Sequence, residues 1–143
     1  MSLLTGAPRT RRAVGLAFAL AATACGPSAE KLEADRVARS IDVLRNAPAG
    51  STASRLHLVE ELAKQPATGK LAATARDTCA GAYRSLEEAS LFEAHVRKAM
   101  ADPSTMTPGM LQDLVAAGEK LEASKAAMPG CERAVSELRM AFR

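Results

Sequence analysis

The apolar positions of this chain form one continuous run followed by four helical stripes. The run is Ala13 to Ala24. After it, Leu32, Val37, Ile41 and Leu44 recur at helical spacing and predict a helix over 29–45, with Ser28 as N-cap and Glu30 in its first turn. Asn46-Ala47-Pro48-Ala49-Gly50 breaks the pattern. Leu56, Val59 and Leu62 predict a second helix over 53–64, capped by Ser51 or Thr52. A third helix is predicted over 70–101, between the breaks Gln65–Gly69 and Asp102-Pro103-Ser104. Thr107 and Pro108 read as N-cap and first residue of a fourth helical stretch, which reaches the C-terminus and is expected to kink or break at Pro129-Gly130. No segment alternates cleanly, and no Asn-Gly or Asp-Gly hairpin turn occurs. The fold class expected is all-α: a small antiparallel bundle of about four helices built on one long helical hairpin.

The two cysteines of the last helices fix how that hairpin is aligned. Cys79 and Cys131 each lie 26 positions from residue 105, inside the predicted loop. Residues equally far from the turn face each other in an antiparallel pair, so a disulfide between Cys79 and Cys131 is expected. The same mirror sets Leu86 opposite Ser124, Ala89 opposite Leu121 and Val96 opposite Leu114, mostly large against small. Closing a loop of about 50 residues stabilises by a few kcal/mol.

The apolar run ahead of the stripes has a different character. Arg9, Arg11 and Arg12 precede it with no acid nearby, and its dozen residues are too few to span a bilayer. This is the pattern of an export signal on the general secretory route. It ends in Ala22-Thr23-Ala24-Cys25, which resembles the lipobox of bacterial lipoproteins. The resemblance covers residues 1–26. It implies cleavage before Cys25, a lipid on Cys25, and a short tether over 25–27 ahead of a bundle domain over 28–143. Gly26 is not Asp, the inner-membrane retention residue of Gram-negative lipoproteins, so the resemblance implies the outer membrane. Ala22-x-Ala24 also fits an ordinary signal-peptidase site, which would leave a soluble periplasmic or secreted protein. The count of three cysteines favours lipidation: it removes the odd thiol and leaves Cys79 and Cys131 as a pair.

Removing residues 1–24 changes the charge argument. The chain has 19 Lys and Arg against 16 Asp and Glu. Three of the basic residues and none of the acids lie in the leader, so the rest is balanced at 16 against 16. A basic footprint for nucleic acid is absent, and no nucleic-acid partner is expected.

Candidate chemistry is sparse. His57 and Glu61 stand one helical turn apart, but the second His of a zinc helix is missing, and a solvated pair is the expected reading. His95 stands alone. No Glu-x-x-His, Cys-x-x-Cys-His, Gly-rich phosphate loop or Gly-x-Ser-x-Gly occurs. The neighbouring acids Glu60-Glu61 and Glu87-Glu88 point about 100° apart and read as solvated charge rather than an acid–base dyad. No metal, cofactor or enzymatic activity is expected.

The second helix is less than half as long as the last two, so the far end of the hairpin should be thinly covered. Phe92, Val96, Met100, Met106, Met110 and Leu111 lie there and form the candidate interface. The function expected is that of a membrane-anchored structural or interaction protein, with a protein partner or a second copy at this tip. The alternative is a bundle that holds a small ligand or a metal between its helices.

Overall fold

The computed structural model describes residues 26–102, 104 and 107–143. The leader, Cys25 and Met106 lie outside the described residues. Four helices follow one another: α1 (Ala29–Asn46), α2 (Thr52–Lys64), α3 (Lys70–Ala101) and α4 (Met110–Ala141). No strand occurs among the described residues. The fold is the all-α bundle read from the stripes. α3 and α4 have 32 residues each, about 48 Å at 1.5 Å per residue. They form the antiparallel hairpin, and α1 and α2 pack on one half of it.

Cys79 and Cys131 are bonded, with their Cα atoms 4.6 Å apart. Small side chains let the helices come this close. Ala75 and Ala82 on α3 and Ala134 on α4 are buried around the bridge. At Gly130 an added Cβ would already lie 3.3 Å from Thr78 Cγ2. Other cross-hairpin contacts keep the alignment. Glu88 meets Lys120 at 2.6 Å, and His95 Nδ1 meets Asp113 at 3.0 Å. In both pairs the α4 partner stands two positions from the mirror set by the cysteines.

The main core lies at the end stapled by the disulfide. Val37, Ile41 and Leu44 of α1, Val59 and Leu62 of α2, Ala75 and Cys79 of α3 and Cys131 of α4 are fully buried in one cluster. α1 touches both arms of the hairpin and so fills the groove between them. Two inward positions differ from the expected stripes. Leu32 is exposed, because the buried stripe of α1 runs through Ala34, Val37, Ile41 and Leu44, and residue 32 lies well off that line. On α2 the inward stripe is Arg55, Val59 and Leu62; Leu56 is only half-buried.

Arg55 is buried because its charge is fully accommodated. Its Nε donates to Glu87 Oε1 at 2.6 Å, and its Nη1 donates to the Ala47 carbonyl at 2.7 Å and the Leu44 carbonyl at 3.4 Å. Glu87, expected as solvated charge, is in fact buried at 3% exposure. Its neighbour Glu88 does sit at the surface edge. This ion pair ties the end of α1 and the start of α2 to the middle of α3.

The helix ends show local logic. Ser28 caps α1, its Oγ accepting from the Lys31 amide at 3.2 Å, as expected. Gly69 cannot cap α3 with a side chain, and Glu33 of α1 serves instead. Its carboxylate accepts from the Thr68 amide at 2.8 Å and the Gly69 amide at 3.4 Å. The Thr68 amide, with the Thr68 hydroxyl, the Gly69 amide and the nearby Arg36 charge after it, outweighs desolvation and lowers the Glu33 pKa below 4.5.

α4 departs from expectation at two prolines. Thr107 and Pro108 do not begin the helix: the Thr107 carbonyl accepts from the Met110 amide in a tight turn, and the regular ladder starts with Asp113 to Gly109. Further on, Pro129 neither breaks α4 nor loses the register. It stands exposed, so its missing N–H falls on the solvent side, and the bridge two residues later holds the helix against α3.

Candidate interaction site

The far half of the hairpin is a different environment. The start of α2 is level with Glu87, where Arg55 reaches across, and α1 ends beside it. Beyond that level α3 and α4 continue for some 15 residues. Two helices can each bury only one stripe against the other, so the core there is thin. Among the described residues it is a separate small cluster of Val96, Ala99 and Met110.

The residues expected at the tip divide accordingly. Val96 and Met110 close the small cluster and are buried. Phe92 is half-buried. Met100 and Leu111 are open to solvent, at 67% and 70% exposure. Met106 lies outside the described residues.

Sequence reasoning missed the larger part of the surface. Leu114 and Val115 are 51% and 56% exposed, and Leu121 is open to a lesser degree. The mirror placed Leu114 and Leu121 in the seam, yet they stand at its edge. A signal for this was present in the arc they occupy. Met110, Leu111, Leu114, Val115, Ala117 and Leu121 spread over more than 100° of α4, wider than the seam between two helices. An arc of that width is what a helix in a larger bundle carries.

Between the arms this surface is concave. A groove of about 370 Å3 is lined by Leu86 and Ala89 of α3 and by Leu114, Ala117, Gly118 and Leu121 of α4. It begins at the level where α1 ends, on the side of the hairpin that α1 fills. Small residues form its floor and leucines its walls. Nothing lies within 4 Å of where a Cβ on Gly118 would stand. Glu93 is the charged residue of the groove lining, and it pairs with Arg97.

The clefts at the stapled end differ. One is lined by Arg45, Glu132, Arg139 and Arg143, and Arg139 is already committed to Asp42 at 2.6 Å. His57 and Glu61 are exposed on α2, and His95 pairs with Asp113 at the surface. Among the described residues, no three of His, Cys, Asp and Glu stand close enough to hold a metal ion. No described helix is long and apolar enough to cross a membrane. No family model, curated protein or solved structure matches this chain.

Proposed function

We propose that the protein is an exported lipoprotein that acts by contact rather than catalysis. Lipid on Cys25 holds it at the outer membrane, and the tip of the hairpin docks a protein. The observation that carries this reading is the contrast along one pair of helices. The stapled half is closed by α1, α2 and the disulfide, whereas the tip leaves a groove and a leucine-rich face open. An apolar patch of this kind on a monomer marks an interface.

The anchor reading is supported by the lipobox-like Ala22-Thr23-Ala24-Cys25 and by the pairing of the other two cysteines. α1 begins at Ala29, so the tether from Cys25 is short and the stapled end lies next to the bilayer. The tip then projects about 40 Å away from it.

Two measurements test the proposal. Intact mass of the protein purified from an exporting cell should show an acylated Cys25 at the N-terminus; an unmodified thiol there would overturn the anchor. Charge replacement at Leu111 and Leu114 should abolish association while leaving helicity unchanged. Unaltered solubility, oligomeric state and binding in that variant would sink the docking role.

A further inference from the structure

We propose that the Cys79–Cys131 bridge is made on a bare α3–α4 hairpin, by exchange with the disulfide of a thiol oxidant, and that docking of α1 and α2 then seals it as a latch closed to further thiol exchange.

Cys79 and Cys131 are wholly buried, at 0% exposure. Two helices alone do not achieve this. The tip of the same hairpin shows what α3 and α4 cover between themselves: Leu114 remains 51% exposed beside the seam, and Leu121 37%. At the root the remaining cover comes from the other two helices. Val37 and Ile41 of α1 and Val59 and Leu62 of α2 lie in one buried cluster with the two cysteines. The hairpin's own neighbours Ala75, Ala82 and Ala134 are small, so they let the helices approach without roofing the bridge.

Closing the bridge is a thiol–disulfide exchange. One cysteine, as its thiolate, attacks a sulfur of the oxidant's disulfide. A bond forms between the two sulfurs, and the oxidant's S–S bond breaks to release its other sulfur as a thiolate. The second cysteine, deprotonated in turn, attacks the first Sγ. The Cys79–Cys131 bond forms as the mixed disulfide breaks. Two protons leave the cysteines and two electrons pass to the oxidant, whose disulfide ends as a dithiol. The mixed intermediate carries a foreign sulfur, with everything attached to it, on one of the two Sγ atoms. A close-packed core has no room for that group. Exchange is therefore confined to states in which α1 and α2 have left the hairpin.

The topology allows such a state. α3 and α4 are adjacent in the chain, and the pairs Glu88 with Lys120 and His95 with Asp113 join them without help from α1 or α2. The covering helices are held by separate contacts: Arg55 with Glu87, Asp42 with Arg139, and Glu33 with Thr68. Although α1 and α2 come first in the chain, the groove they fill exists only once α3 and α4 have paired.

Exchange is reversible, so the route of reduction retraces the route of closure. The test treats the purified, oxidised full-length chain with dithiothreitol under native conditions and counts the thiols released by alkylation and mass. Ile41→Ala on α1 and Val59→Ala on α2 loosen the cover and should each speed reduction at least about tenfold. Val96→Ala, in the small cluster at the tip, should change the rate less than about twofold, because the tip stays folded when the cover lifts. Ile41→Val, a milder change, should fall between the parent and Ile41→Ala, and it gives the same reading if the alanine variant fails to fold. Acceleration by Val96→Ala comparable to that by the cover variants would mean that the bridge is reached only through global unfolding. Reduction unchanged by all of them would mean that the reagent reaches the sulfurs with α1 and α2 in place. Either result would overturn the latch.

Discussion

The two halves of the α3–α4 hairpin are built from the same helices and differ in what covers them. Around Cys79 and Cys131, α1 and α2 contribute Val37, Ile41, Leu44, Val59 and Leu62 to one buried core, and the buried pair of Arg55 and Glu87 is satisfied by side chain and carbonyls. Past Glu87 only the α1–α2 loop and the start of α2 flank α3, at a cleft lined by Ala49, Gly50, Thr52 and Ala94, and leucines of α4 face water. The disulfide therefore serves more than its own neighbourhood. It fixes the register at one end, and the contacts of Glu88 with Lys120 and His95 with Asp113 carry that register to the tip. A rigid root allows a thin two-helix arm to keep its apolar face presented instead of collapsed.

The largest expected effect is on the root. Replacing Cys79 and Cys131 with serine should cost about 4 kcal/mol of stability, the chain-entropy value for closing a loop of this length. Denaturant unfolding monitored by helicity measures it; a loss below about 1 kcal/mol would mean that packing alone holds the register.

Next comes the buried ion pair. Glu87→Gln should destabilise by about 3 kcal/mol, since it strands the Arg55 guanidinium in the core. Arg55→Met together with Glu87→Leu should recover most of that loss. A double variant as unstable as the single one would show that the carbonyl contacts to Ala47 and Leu44, rather than the charge pair, hold α1 and α2 in place.

Glycine replacements separate the halves directly. Gly118→Ala adds a methyl group into open space and should stabilise the helix by up to about 1 kcal/mol. Gly130→Ala must push against Thr78 and should gain less, or lose. Thermal melts of the two variants compare them. Equal gains would contradict the close approach at the root.

The smallest effect is electrostatic. Glu33 has a lowered pKa in the folded protein, so the stability it contributes as a carboxylate is present above its ordinary value of 4.5. That contribution is lost as pH falls through the lower folded value. Glu33→Gln should therefore reduce stability near neutral pH, and the difference from the parent should shrink below pH 4.5. A difference independent of pH would assign the cap to Thr68 and Gly69 geometry rather than to charge.

Much of the fold was legible in the sequence because its signals are local. Prolines and glycines mark the helix boundaries, Ser28 marks a cap, and two cysteines equidistant from a turn give the register. The misreadings were of a different kind. Glu87 looked like solvated charge beside Glu88, and only the third dimension brings Arg55 against it. Pro129 looked like a break, but a proline on the solvent side of a helix pinned two residues later does not need one. Leu114 and Leu121 looked like seam residues. Pairing by mirror position says which residues are level with one another, but not how much of each a single neighbouring helix can cover. Of the tip residues read from the sequence, Met100 and Leu111 are exposed, whereas Val96 and Met110 are buried. The centre of gravity of the candidate surface, on α4, came from the packing.

Hydrogen exchange of backbone amides, followed by peptide mass spectrometry, tests the contrast most directly. In dilute protein, peptides from 110–121 should exchange through local opening, while those from 72–83 and 131–138 should exchange only with global unfolding. Uniform protection along both arms would contradict an uncovered tip that awaits a partner.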